Sequence, residues 1–315
     1  MKLSVIIPTY NRSQMVIDSI KSLLQQDLSH DDYEIIVVDN NSKDDTQESV
    51  LSYIKQNRCD NVRYFLEKRQ GDFFARNTGA KEANGKYLIF SDDDALFDSN
   101  YLSKILLIFE SDCEIGAVGT RIVIKWEGGE PSSWIKPYEY LLGADSHKES
   151  GIDVEYGMYI NNGSLAIKRD LYIQVGGINP AQIGDYIVGD AEGGLCRKLH
   201  ALHTKMAFTD DVTMWHRQIV GKNDTLKDIR RRTENNGITK AYTDVIVNHQ
   251  WKHKAIILTI FHILSALLKG NKNRVRFHYL SLCKDIKYNE YLWRYQHDKH
   301  LKNLMKEHKQ FDWKL

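Results

Sequence analysis

The chain has 315 residues, with 43 Lys/Arg against 42 Asp/Glu for a formal charge of +1, 42% apolar residues, 27% charged residues and 4 Pro. Such a composition excludes collagen-like, coiled-coil and wholly disordered chains, and the length suffices for one large core plus an appendage. Cys59, Cys113, Cys196 and Cys283 are too scattered for a disulfide framework or a CxxC metal knuckle, which fits a reducing compartment.

Leu3–Pro8 reads as an apolar strand; its run up to Ile7 is too short for a secretory signal, so a cytoplasmic location is expected. A helix follows from about Arg12 to Gln26, then Tyr33–Asp39, a continuously apolar strand of the kind buried on both faces. The polar loop Asn40–Asp45 can cap a helix over Thr46–Lys55. Asn61–Leu66 reads as strand, Asp72–Ala83 as helix and Lys86–Ser91 as strand. Short strands alternating with helices indicate βαβ units in a parallel sheet, whose ligands bind beyond the carboxyl ends of the strands. Those ends carry Pro8-Thr9-Tyr10-Asn11-Arg12, Asp39-Asn40-Asn41, Ala75-Arg76-Asn77 by way of Gly71, and Asp92-Asp93-Asp94.

Beyond residue 100 the alternation weakens. Tyr101–Glu110 reads as helix, Gly116–Lys125 as strand, Trp126–Gly151 as loop and Tyr159–Lys168 as strand. A short helix then reaches the turn Gly176–Pro180, and Leu195–Leu202 reads as helix. Lys205–Trp215 holds two short strands ending at His216, and from about Asn223 the pattern is helical. Neither an internal repeat nor a low-complexity tract is present.

Asp92-Asp93-Asp94 is the strongest chemical signal. In extended backbone Asp92 and Asp94 share a face while Asp93 points away. Two carboxylates on one face call for a cation, and hard oxygen ligands favour Mg²⁺ or Mn²⁺ with positions left open for phosphates. The bland alternative is a solvated turn capping the helix near Tyr101.

SVIIPTYNR (Ser4–Arg12), EIIVVDNNSKDDT (Glu34–Thr46), ARNTGAKEANGKYLIFSDDD (Ala75–Asp94) and VGGINP (Val175–Pro180) together resemble family 2 glycosyltransferases over about residues 3–217. The resemblance implies an α/β GT-A fold, a Rossmann-like and mostly parallel sheet flanked by helices, and an inverting transfer from a nucleoside diphosphate sugar to an acceptor hydroxyl. By this resemblance Pro8, Thr9 and Tyr10 line the base pocket, Asp39 accepts from base or ribose, and Arg12 and Arg76 sit by the nucleotide. Asp92 and Asp93 lie nearer the ribose, and Asp94, with Asp92, holds the divalent cation. A UDP-sugar is the expected donor.

An inverting transfer also needs a general base, a role that typically contributes about 10²–10⁴-fold. The family places it in a Glu-Asp pair opening a helix; here Ala191 stands where the usual acid would, so register from Leu195 and Lys198 selects Glu192 and register from Gly189 selects Asp190. Glu192 is favoured, and Asp190 stays open. His216, at a strand end, matches a family position that completes the metal shell, although a lone His beside Trp is often simply packed. Asn162 and Trp134 fall where the family holds its acceptor.

The near-zero charge hides a split. Trp251–Leu315 has 14 Lys/Arg and 5 Asp/Glu, a net of +9, leaving −8 for the rest. Within it, Ala255–Leu268 is nearly all apolar and flanked by Lys and Arg; as a helix it reaches about 21 Å, short of a bilayer's roughly 30 Å core. It would lie in a membrane interface on anionic headgroups at the inner face of the plasma membrane, which suits a lipid-linked acceptor, or pack on the body or on a second copy as a homodimer. No nucleic-acid module is present.

The expectation is therefore a GT-A domain over residues 1–222, with 1–98 binding nucleotide and 99–222 binding a saccharide or lipid-linked acceptor, followed by a basic helical extension over 223–315. Its resemblance implies synthesis of a bacterial surface polysaccharide or glycolipid. Two alternatives are a sugar nucleotidyltransferase, which would carry a Gly-rich loop that Pro8–Arg12 lacks, and a non-catalytic nucleotide-sugar-binding protein.

Overall fold

The structure is a computed structural model describing residues 1–145, 151–153, 158–180, 182–183, 186–187 and 191–308. It begins β1 (Leu3–Thr9), α1 (Ser13–Leu24), β2 (Tyr33–Asp39), α2 (Thr46–Asn57), β3 (Val62–Leu66), α3 (Asp72–Glu82) and β4 (Tyr87–Phe90). β1 and β2 are buried at every position because alternate side chains enter different layers. Leu3, Val5, Ile7, Ile35 and Val37 pack with Val16, Ile20 and Leu23 of α1, whereas Ile6, Ile36 and Val38 pack with Phe73, Ala75 and Ala80 of α3. Glu34 is a buried carboxylate within β2; it accepts hydrogen bonds from Ser4 Oγ, Arg63 Nη1 and the Asn84 amide. At Gly79 of α3 an added Cβ would overlap Ile6, so glycine sets how closely this helix approaches β1.

The chain continues through β5 (Ala95–Phe97), α4 (Tyr101–Ser111), β6 (Ile115–Glu127), a 3-10 turn (Lys136–Leu142), β7 (Gly151–Asp153), a second 3-10 turn (Asn162–Ser164), β8 (Ala166–Lys168) and α5 (Arg169–Gln174). The short pair β9 (Gln182–Ile183) and β10 (Tyr186–Ile187) leads to α6 (Ala191–Ala201) and β11 (Lys205–Ile219). Among the described residues the main sheet has nine strands in the order β3-β2-β1-β4-β8-β6-β11-β5, with β7 also on β11. The expected parallel sheet occupies β3-β2-β1-β4; β8 is antiparallel to both β4 and β6, and parallel pairing resumes between β6 and β11.

Two strand expectations change. Only Ala166–Lys168 of the expected strand Tyr159–Lys168 pairs, because the Asn161 side chain accepts from the Gly163 amide and draws the preceding residues into a turn. The two short strands expected in Lys205–Trp215 are one strand of 15 residues reaching Ile219, with its irregularity absorbed by a register shift between Thr209 and Thr213.

The C-terminal part is helical as expected: α7 (Leu226–Tyr242), a π turn (Thr243–Val247), α8 (Ile256–Leu268), α9 (Lys272–His297) and α10 (Lys299–His308). Tyr242 and Val245 pack on Tyr288, Tyr291 and Leu292 of α9 and on Leu301 of α10. Ile229 and Leu280 close over Ile135 and Leu142 in a second small cluster. Among the described residues no helix is long and apolar enough to cross a membrane.

Candidate active site

β1 pairs in register with β2 and with β4, so the loops after Thr9, Asp39 and Phe90 open on one rim. A cleft of about 950 Å³ lies there, lined by Pro8, Thr9, Tyr10, Arg12 and all three of Asp92, Asp93 and Asp94. His216 of β11 lines the opposite side, brought there because β11 pairs antiparallel with β5 and sets His216 against Ala95.

The three aspartates are not extended: the chain turns at Asp93 and Asp94 before entering β5. The turn still separates them as alternation would. Asp93 is drawn inward, accepting from Thr9 Oγ1 and Arg12 Nη1, each at 2.8 Å. Burial pushes its carboxyl up to about 6, against the pull of Arg12 and with the Asp94 charge adding. Asp92 and Asp94 face His216, and one ligand atom from each of the three lies within 4.8 Å of the others.

This trio suits a divalent cation. Asp94 Oδ1 lies 3.0 Å from His216 Nε2 yet is a buried oxygen without a well-aligned hydrogen bond. The imidazole donates to the Leu142 carbonyl, and its Nδ1 edge lies towards Gly143, which leaves Nε2 facing the carboxylate. Two lone pairs meet there unless a proton or a cation lies between them. Burial alone would raise Asp94 and lower His216; their mutual attraction wins, holding Asp94 below and His216 above its ordinary value.

Arg76 does not line the cleft. It is buried behind Asp92, donating to Asp92 Oδ1 at 2.6 Å, Asp72 Oδ2 at 2.7 Å and the Ser91 carbonyl at 3.0 Å. Burial works against its charge, but the two carboxylates keep it protonated. It therefore orients Asp92. Asp39 also lies beneath the rim, with Oδ1 accepting from the Ser42 amide and Oδ2 from Tyr64, both at 2.8 Å. Asn40, given no role by the sequence beyond its place at the strand end, lines the cleft and ties its loop to the next by accepting from the Gly71 amide and donating to the Arg69 carbonyl.

Glu192 stands in the first turn of α6 beside Ala191, which lines the cleft. Its Oε2 accepts from Asn162 Nδ2 at 3.5 Å, and it holds the Tyr159 hydroxyl, whose ionisation burial and the carboxylate together push up. Asn162 is buried, and its carbonyl accepts from Arg76 at 3.5 Å, so one chain of contacts runs Glu192–Asn162–Arg76–Asp92. Asp190 lies outside the described residues. Trp134 is not at the cleft: it packs edge-on against Tyr138, with the Arg276 guanidinium 5.1 Å over its ring.

Asn77, named at the rim but given no role by the sequence, is a buried joint. Its Oδ1 accepts from the Tyr172 hydroxyl and the Ile178 amide, and its Nδ2 donates to the Ile178 carbonyl, fixing the turn that brings Ile178 and Asn179 to the cleft. Asn77→Ala takes the acceptor from the Tyr172 hydroxyl and the donor from the Ile178 carbonyl, while the Ile178 amide keeps the Tyr172 oxygen at 3.2 Å; it should cost about 3 kcal/mol, read as a lower urea midpoint with unchanged far-ultraviolet circular dichroism. Lys222 and Arg232 also line the cleft, although they follow β11 or belong to α7.

The family model for "Glycosyl transferase family 2" matches residues 4–165. The GalNAc(5)-diNAcBac-PP-undecaprenol beta-1,3-glucosyltransferase of Campylobacter jejuni is 41% identical over 107 residues, 33% of each chain. An uncharacterized glycosyltransferase of Rickettsia bellii is 40% identical over 111 residues, covering 35% of this chain, which spans only 15% of that relative's length. Among solved structures, the mannosyltransferase PcManGT of Pyrobaculum calidifontis, in complex with GDP-Man and Mn²⁺, superposes with a TM-score of 0.58 at 18% identity, covering 98% of this chain and 84% of that one. S. aureus TarS 1-349 with UDP-GlcNAc gives 0.55 at 17% identity, covering 94% and 92%. The fold is that of the GT-A glycosyltransferases, with a helical C-terminal part. Matched by its model over more than half the length, and with these residues at the rim of that fold, the chain belongs to glycosyl transferase family 2.

Proposed function

We propose that this chain is a metal-dependent inverting glycosyltransferase that moves a sugar from a nucleoside diphosphate sugar, a UDP-sugar foremost, to a hydroxyl of a saccharide or lipid-linked acceptor in polysaccharide or glycolipid synthesis. The convergence of Asp92, Asp94 and His216 at the cleft carries this reading. Neighbours solved with GDP-Man and Mn²⁺, or with UDP-GlcNAc, support it.

In this reading Pro8, Thr9 and Tyr10 hold the base, with the half-exposed Tyr10 ring as its platform. Asp39 steadies the loop beside the ribose, while Arg12 keeps Asp93 and Asp94 in place. Asp92, Asp94 and His216 would hold Mn²⁺ or Mg²⁺, which neutralises charge on a departing diphosphate. Lys222 and Arg232 add positive charge along the same cleft. Glu192, or Asp190 in its stead, takes the proton of the acceptor hydroxyl as its oxygen bonds to the anomeric carbon. The bond from that carbon to the diphosphate breaks on the opposite face, which inverts the centre. Residues 1–222 would form the catalytic body, and the extension would rest at the inner face of the plasma membrane. A relative named for an acceptor on PP-undecaprenol supports the lipid-linked acceptor.

A thermal-shift series with UDP and GDP, each with and without Mn²⁺, tests the donor. One nucleotide should raise Tm by about 2–4 °C near saturation, and only with the cation present. No shift with either nucleotide, together with no diphosphate release from UDP- or GDP-sugars, would refute the proposal.

A further inference from the structure

α8 is apolar except at Thr259, His262 and Ser265, yet only one of its faces is covered. Ile256, Thr259, Ile263 and Ala266 form the seam that meets α9. Ile257, Leu258, Phe261, Leu264, Leu267 and Leu268 point away from it and are 51–91% exposed. An exposed apolar patch of this kind marks a docking surface.

The charge around it selects the occupant. No Asp or Glu occurs between Asp244 and Asp285, whereas that stretch holds seven Lys/Arg. Lys269, Lys272 and Arg274 cluster at the tight turn into α9, and among the described residues none of them makes an ion pair. A second copy laid on this face would bring two acid-free rims together, and like charges would oppose the contact. A bilayer with anionic headgroups offers hydrocarbon for the apolar face and negative charge for the rim. Because α8, at 13 residues, is too short to span, it would lie in the plane of the interface.

We infer that the α8–α9 hairpin is an interfacial anchor, its outward Leu, Ile and Phe side chains entering the headgroup boundary of an anionic bilayer and its Lys/Arg turn contacting lipid phosphates. Resting on the transferase reading only for the acceptor, this places the cleft beside a lipid-linked substrate. The hairpin packs next to the site: Leu280 of α9 shares a cluster with Leu142, whose carbonyl accepts from His216.

Flotation of the full chain with vesicles of equal parts phosphatidylglycerol and phosphatidylcholine, against pure phosphatidylcholine, provides the test. Partition should be at least about tenfold greater on the anionic vesicles and should fall in high salt. The double variant Phe261→Asp, Leu264→Asp, both outward-facing, should lose about tenfold or more of that binding while its diphosphate release from a soluble donor stays at the parent level. Equal partition on both vesicle types, or binding unaffected by the double variant, would overturn the anchor. So would a parent dimer in analytical ultracentrifugation that the double variant dissociates, with no flotation of either. Flotation without any diphosphate release would leave the anchor standing and remove the transferase reading; release without flotation would do the reverse.

Discussion

An Asp94→Ala chain should release nucleoside diphosphate from its donor at least about 10²-fold more slowly than the parent. Asp94 stands at the centre of the rim: Oδ2 accepts from Arg12 at 2.9 Å and Oδ1 faces His216 at 3.0 Å. Removing the carboxylate deletes one of the three convergent ligand atoms and leaves Arg12 to Asp93 alone and His216 to Asp92 alone. Asp94→Asn, which keeps the shape, is the companion variant and should also lose Mn²⁺-dependent turnover. Titration of turnover with Mn²⁺, at matched circular dichroism, is the measurement. Undiminished turnover in both variants would remove the cation from this trio.

Glu192→Gln should reduce sugar transfer by about 10²–10⁴-fold and leave donor binding intact. The amide keeps the size of the carboxylate and can still meet Asn162 and Tyr159, so the contact chain to Arg76 survives while the proton acceptor is lost. Asp190→Asn made in parallel decides between the two acids. The base is the one whose amide binds nucleotide with parental affinity and transfers no sugar. Full activity in both would mean that the hydroxyl proton leaves by another route.

The first four strands were legible because their residues obey local rules. β2 runs from Tyr33 to Asp39 as expected, since a strand covered on both faces must be apolar at nearly every position. The site residues contributed by strand ends were legible for the same reason: parallel register delivers whatever follows Thr9, Asp39 and Phe90 to one rim. Long-range contacts were not. Arg76 looked like a nucleotide ligand, but only the fold shows it buried behind Asp92. Trp134 looked like a sugar platform, and its ring is instead covered by Arg276, which is 142 positions away in the chain. Asn77 lies within the Ala75–Asp94 motif, but its value lies in meeting Tyr172 and Ile178, which are about a hundred positions on in the chain. Arg232 fell in the helical extension, and no periodicity reveals that α7 begins alongside the cleft.

The place of β8 in the sheet bears on how the chain is made. β4 leaves the ribosome with β1, β2 and β3 already available, but its other edge pairs only with Ala166–Lys168. Nearly eighty residues separate Phe90 from that partner, and synthesis at about 5–20 residues per second delays it by roughly 4–15 s. During that interval the Tyr87–Phe90 edge, fully apolar and destined for burial, presents unpaired amides and carbonyls. The nascent chain thus carries an open sheet edge until β8 docks on it.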